Sequence, residues 1–216
     1  MVDGQTLIWT LSDILKATGG ELLSGDPLQG FENIGIDSRD IRPRDVFVAI
    51  AGDIHDGHTF VNDVVQQGVS GLVVNREKSA DLPVADWQTG QIACVAVADT
   101  TRALGDLAAY HRSRTDVPLT AITGSNGKTT TRQMTAQVMA QKYRTLATIG
   151  NYNNQIGVPL TLLRLSGEYE QAVVELGTNS PGEIARLAQI CAPDIGVVTN
   201  VGPAHLEGLG SLDGVM

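Results

Sequence analysis

The apolar run Leu119-Thr120-Ala121-Ile122 leads directly into Thr123-Gly124-Ser125-Asn126-Gly127-Lys128-Thr129-Thr130, and a stretch of helical spacing follows from Thr131 to Lys142. A strand that turns on glycines into a helix points backbone N–H groups and the positive end of the helix dipole at the loop, which is a cradle for phosphates. In such a loop the lysine reaches the outer phosphates and the following hydroxyl binds magnesium. The full pattern has a glycine five positions before Gly127, where this chain has Ile122, so a shortened Gly-x-x-Gly-Lys-Thr remains. A bare Gly-x-x-Gly reads as an ordinary turn with a solvated lysine. Lys-Thr-Thr at a helix start, directly after a strand, turns the reading to nucleotide triphosphate binding.

The same alternation runs through the second half. Leu119 to Ile122 reads as a strand, Lys128 to Gln141 as a helix, Thr145 to Thr148 as a short strand and Pro159 to Leu165 as a helix. Strand 172–175, helix 181–190 and strand 195–199 follow. Buried strands alternating with helices predict a doubly wound, mostly parallel sheet. The first half reads as a smaller α/β unit. It has a helix at Leu11 to Ala17 ended by Gly19-Gly20, a strand at 45–50, a helix at Thr59 to Gln67, and strands at 71–74 and 92–97. The polar stretch from Asn75 to Gln91, with Pro83 and Gly90, reads as a surface loop. Asp99-Thr100 caps a helix running to about Arg114, with Leu104, Leu107, Ala108 and His111 on one face. The domain boundary is set at its start, giving domains 1–98 and 99–216.

Composition excludes several classes. A formal net charge of -9 argues against a broad nucleic-acid surface, because phosphate backbones demand clustered Lys and Arg. No run of about 18 apolar residues exists, so no membrane span is expected, and Met1 to Gln5 carry no secretory signal. Cys94 and Cys191, in apolar company, read as buried structural thiols rather than a disulfide or zinc site. The expected compartment is the cytoplasm.

In a doubly wound sheet, ligands sit beyond the carboxyl ends of the strands. Glu175 ends one such strand, level with the glycine loop, and reads as a magnesium ligand before it reads as an edge ion pair. Asn200 ends the strand Gly196 to Thr199, with His205 and Glu207 beyond it; for His205 a ligand role and a surface-loop role stand level. Asn151-Tyr152-Asn153-Asn154 reads first as a turn former and second as a set of amides for a polar ligand. Asp37-Ser38-Arg39 reads first as a turn with an exposed ion pair, and His55-Asp56-Gly57-His58 as a loop or cap before a helix rather than a metal pair.

Taken jointly, the motifs resemble the Mur ligases, the ATP-dependent amide-forming enzymes of peptidoglycan precursor synthesis. Thr123 to Thr130 looks like their shortened P-loop, which accounts for the missing glycine. Three further stretches carry the resemblance: Gly150 to Pro159, Glu175 to Ile184 and Ala204 to Ser211. Within the family they are similar to the member that adds D-Ala-D-Ala to UDP-N-acetylmuramoyl-tripeptide. Asp37-Ser38-Arg39, Val46 to Ala49 and Asp56 to Phe60 fit the family's UDP-binding domain. The resemblance implies a small N-terminal UDP-substrate domain followed by an incomplete P-loop ATPase-like domain. It implies that Gly124, Ser125, Asn126, Gly127, Lys128, Thr129 and Thr130 wrap the phosphates of ATP, with Asn200 near the nucleotide. Thr129, Glu175 and His205 would hold Mg2+, and Lys128, Glu175 and His205 would form the catalytic set. Ser38 and Arg39 are candidates for the uridine end of UDP-MurNAc-tripeptide, and Asn153, Asn154 and Thr178 for its muramoyl-peptide side.

The implied reaction forms an acyl phosphate on the tripeptide carboxylate, which the amine of D-Ala-D-Ala then attacks; the protein positions groups and neutralises charge. A monomer is expected. The alternatives are another Mur-type ligase, such as the one adding the third peptide residue, or a non-catalytic nucleotide-binding module. The resemblance also implies a third, C-terminal domain and a carbamylated lysine shortly after the His-Leu-Glu segment, whereas the last lysine here is Lys142. The expectation is therefore a fragment that is inactive, or nearly so, by itself.

Overall fold

The computed structural model describes residues 9–52 and 55–203. The chain divides into two compact units that part between Leu107 and Ala108. The first contains β1 (Trp9–Thr10), α1 (Leu11–Thr18), β2 (Glu21–Ser24), β3 (Gly30–Phe31), β4 (Ile34–Gly35), β5 (Val46–Val48), α2 (Val61–Gln66), β6 (Gly71–Asn75), α3 (Val84–Gly90) and β7 (Ala93–Val97). The helix α4 (Thr100–Arg112) spans the division. The second unit continues with β8 (Leu119–Thr123), α5 (Lys128–Ala140), β9 (Thr145–Ala147), α6 (Gly157–Leu162), β10 (Gln171–Glu175), α7 (Glu183–Cys191) and β11 (Ile195–Val198). The units thus part inside the helix that the sequence pattern assigns wholly to the second domain.

In the first unit five strands form one sheet in the order β2-β7-β6-β5-β4, with β2 antiparallel and the others parallel. The stretch 75–91, expected as a loop, is structured. It holds a 3-10 turn at Arg76–Asp81 and then α3. Pro83 stands immediately before the first residue of α3, where its missing N–H costs no helical bond. Gln91 ends that helix in the left-handed region. Trp87 is buried with Phe47, Leu72 and Cys94, and this apolar anchor is what makes a largely polar segment fold.

In the second unit the sheet order is β11-β8-β10-β9, all parallel. The buried apolar residues of β8 and β10 pack with those of α6 and α7, as parallel strands covered by helices require, while Thr120 and Glu175 are buried polar members of the same two strands. Both cysteines are fully buried and free, and burial pushes each thiol up to about 12. His111 donates from Nε2 to the Leu165 carbonyl at 2.7 Å, and burial holds its imidazole below the usual histidine range. Arg112 ties α4 to the end of α7 through the Cys191 carbonyl at 3.0 Å and to the residue before β11 through Asp194 at 3.1 Å. Among the described residues no helix is long and apolar enough to cross a membrane.

Candidate active site

β8 and β10 are neighbours, and their register sets Glu175 opposite Ile122. The glycine loop therefore begins beside the carboxylate that ends the adjacent strand. Ile122 is fully buried inside β8, so the position of the missing glycine belongs to the sheet and the loop starts later. The loop then turns on Gly124 at φ 134° and Gly127 at φ 78°, both in the region that favours glycine. A Cβ on Gly124 would stand 2.2 Å from Thr199 Oγ1, so only glycine fits there. Gly127 precedes α5, whose N-terminus receives no side-chain cap. Its first N–H groups are the unsatisfied donors a phosphate seeks. Lys128 Nζ donates to the Gly124 carbonyl at 2.7 Å, over the same loop.

The chain leaving β11 fixes the loop's shape. Ser125 N–H donates to the Asn200 carbonyl at 3.0 Å, and Thr199 Oγ1 donates to the Asn126 carbonyl at 2.6 Å. The Asn200 side chain spans the Asn126 peptide edge, accepting from its N–H at 3.0 Å and donating to its carbonyl at 3.1 Å. Ser125 Oγ exchanges hydrogen bonds with the Gly202 backbone, both at 2.9 Å. Asn200, expected near the nucleotide, is thus a clamp on the loop that would hold it.

Glu175 is almost wholly buried. Its Oε1 accepts from Thr129 Oγ1 at 3.1 Å and from Asn153 Nδ2 at 2.9 Å. Its own N–H donates to Thr148 Oγ1 at 2.9 Å, which fixes the backbone from the β9 side. Oε2 accepts no hydrogen bond and faces Arg132 Nε at 3.5 Å, and that Nε likewise has no acceptor. A buried carboxylate oxygen with open lone pairs, next to a threonine hydroxyl, is a hard-oxygen donor set that suits Mg2+, which takes one or two protein ligands and keeps phosphates or water for the rest. No cluster of three or more His, Cys, Asp or Glu exists among the described residues. His205 and Glu207 lie outside the described residues.

The amide loop resolves into separate duties. Asn153 holds Glu175, and Gly177 leaves room for it, since a Cβ there would lie 2.8 Å from the Asn153 side chain. Asn154 Oδ1 accepts from the N–H groups of Ile156 and Gly157 and so caps the start of α6. Thr178 Oγ1 lies 3.0 Å from Glu183 Oε2, which also accepts from the N–H groups of Asn179 and Ser180. These bonds hold the Glu183 carboxyl below its ordinary range against the opposing effect of burial. In the first unit, Arg39 pairs with Asp37 at 2.6 Å and is 85% exposed, the turn with an exposed pair that the residues suggest. Asp56 caps the 3-10 turn Gly57–Phe60 and pairs with Lys78. Asn75 N–H donates to His58 Nε2 at 2.9 Å, so the ring proton sits on Nδ1 and is given to Asp56 at 2.7 Å. That is a capping arrangement, not a metal pair. Sequence pattern alone does not single out Arg132, Thr148 or Thr199. The spacing of Arg132 from Thr129, i to i+3 on one helix face, is the available signal.

Residues 30–112 match the Mur ligase family catalytic domain, and residues 122–216 match the Mur ligase middle domain. The chain belongs to the Mur ligase family. The UDP-N-acetylmuramoyl-tripeptide–D-alanyl-D-alanine ligase of Escherichia coli K12 is 41% identical over 206 residues, which is 95% of this chain and 43% of that relative. The crystal structure of MurF from Acinetobacter baumannii is 37% identical with a TM-score of 0.84, over 99% of this chain and 45% of that one. MurF ligase from Thermotoga maritima in complex with ADP is 31% identical with a TM-score of 0.74, over 85% of this chain and 41% of that one. The chain thus spans less than half the length of the Mur ligases it matches. The stretch matching the middle domain contains Lys128, Thr129, Glu175 and Asn200.

Proposed function

We propose that this chain carries the ATP site and the UDP-substrate unit of a ligase that joins D-Ala-D-Ala to UDP-MurNAc-tripeptide at the expense of ATP. The observation that carries the reading is the Thr129–Glu175 pair beside an uncapped helix N-terminus, in a chain about 40% identical to ligases of that name. In this reading residues 99–216 hold ATP and residues 1–98 the uridine end of the substrate. The compartment is the cytoplasm and the protein is a monomer. The net charge of -9 speaks against nucleic-acid partners.

Gly124 to Thr130 hold the phosphates through backbone N–H groups, and Lys128 turns from the Gly124 carbonyl toward the outer phosphates. Thr129 and Glu175, with His205, hold Mg2+, which supplies charge neutralisation between two anionic reactants when bound. Asn153 and Thr148 keep Glu175 in place, and Asn200 keeps the loop in its phosphate-ready shape. Ser38 and Arg39 serve the uridine end, and Asn153, Asn154 and Thr178 the muramoyl-peptide side. The contribution of the chain is orientation and charge placement, which is most of what phosphoryl transfer asks of a protein.

Titration calorimetry tests the reading on this chain, with MgADP, UDP-MurNAc-tripeptide and UDP-MurNAc-dipeptide as separate ligands. Binding of MgADP and preference for the tripeptide over the dipeptide support it. Preference for the dipeptide points to the ligase that adds the third residue, and binding of neither nucleotide nor UDP-substrate overturns the proposal.

A further inference from the structure

The Glu175 carboxylate is 1% exposed, so its charge must be balanced from within the protein. Hydrogen bonds from Thr129 and Asn153 go to one oxygen only. Among the described residues the one cation paired with Glu175 is Arg132, whose side chain is 8% exposed. Lys128, the other nearby cation of α5, is turned to the carbonyls of Gly124 and Ser125.

The pair has an unusual form. Arginine and carboxylate normally close into one or two hydrogen bonds. Here Nε stands 3.5 Å from Oε2 and neither atom has a hydrogen-bond partner. The guanidinium is tied down elsewhere, with Nη2 donating to the Gly150 carbonyl at 3.3 Å. Arg132 therefore supplies attraction without occupying the lone pairs of Oε2. Helical spacing puts the metal-binding hydroxyl of Thr129 and this guanidinium on the same face of α5, both aimed at one carboxylate.

We propose that Arg132 is a positioning residue for Glu175: a built-in counter-charge that shares the carboxylate with the divalent cation and leaves the lone pairs of Oε2 free of hydrogen bonds. The inference rests on the ATP-site reading above. The guanidinium and the metal ion balance the same charge, so each compensates for loss of the other.

The test is thermal melting of the chain and its variants with and without Mn2+ and ADP, alongside Mn2+ binding followed by electron paramagnetic resonance. Arg132→Met should melt about 10 °C below the parent, as expected for a broken buried pair. Mn2+ with ADP should raise its midpoint by clearly more than it raises the parent's. Adding Glu175→Gln to Arg132→Met should recover most of the loss without metal, and Arg132→Lys should fall between. If neither Mn2+ nor Glu175→Gln restores Arg132→Met, the arginine is scaffold only and the proposal fails. It also fails if Arg132→Met melts with the parent. If the parent itself binds no Mn2+ with ADP, the ATP-site reading falls first, and this inference with it.

Discussion

Replacing Gly124 by alanine tests the loop geometry most sharply. The added Cβ would lie 2.2 Å from Thr199 Oγ1, 2.9 Å from the Asn200 carbonyl oxygen and 3.0 Å from Thr199 N. Thr199 would have to retreat by more than about 1 Å to reach ordinary contact distance. That retreat breaks the bond from Thr199 Oγ1 to the Asn126 carbonyl at 2.6 Å and strains the bond from Ser125 N–H to the Asn200 carbonyl at 3.0 Å. Each is worth about 1 kcal/mol, and a non-glycine residue held at φ 134° costs about 1–3 kcal/mol more. The total is about 4 kcal/mol, concentrated where the loop meets the end of β11. MgADP binding should weaken by about 100-fold or more, with a lower urea midpoint. Two neighbours calibrate the result. Gly127→Ala meets nothing within 4 Å but carries φ 78°, so strain alone should cost about 1–2 kcal/mol. Gly196→Ala meets nothing within 4 Å and is not at positive φ, so it should be neutral. If Gly124→Ala binds and unfolds like Gly196→Ala, the clamp between loop and β11 is not what shapes the site.

Other outcomes follow from the same structure. Asn200→Ala removes both bonds to the Asn126 peptide and should weaken MgADP binding by about 10-fold, measured by calorimetry, while leaving the fold intact by circular dichroism. Gly177→Ala pushes the Asn153 amide off Glu175 and should lower affinity for Mn2+ more than for ADP alone, read by paramagnetic resonance. His111 is neutral in the folded chain because burial lowers its pKa, whereas the unfolded chain takes up a proton below about pH 6.5. Its contribution is therefore complete above that pH and is lost as pH falls toward the folded value. Melting midpoints should decline across that window, and His111→Gln should flatten the decline. Asp37 is held near 2 chiefly by its hydrogen bond from Arg39, but the pair is exposed, so Arg39→Ala should leave the melting midpoint nearly unchanged at neutral pH.

The parallel core of the second unit is legible in the sequence because its central strands are mostly apolar and glycines punctuate them. Leu119, Ile122, Val173 and Val174 have only one place to go in a sheet covered by helices. The phosphate loop is legible for a different reason: Lys-Thr-Thr at a helix start, directly after a strand, suits an anion and little else. The stretch 75–91 reads as a loop because its composition is polar, while its fold depends on Trp87, flanked by Leu82 and Val84, finding the core. Short edge strands such as β2 carry too few residues for an alternation to show. Glu175 can be placed by its position at a strand end, but its surroundings cannot. Arg132 in a helix reads as a solvated charge, and its burial depends on α5 lying over β10. Asn153 reads as a turn former, and its bond to Glu175 exists because Gly177, two residues beyond the carboxylate, has no side chain. Such couplings join residues over 20 apart in sequence, where local pattern carries no information.

The central claim is that Gly124 to Thr130 and Glu175 together form a nucleotide–metal site. Amide NMR of the isotopically labelled chain titrated with ADP and substoichiometric Mn2+ tests it directly. The account predicts that paramagnetic broadening is strongest for Gly127 to Thr130 and Glu175, and that it disappears in Glu175→Gln while the ADP-induced shifts of the loop persist. Broadening centred elsewhere, or loop resonances unmoved by ADP, would contradict it.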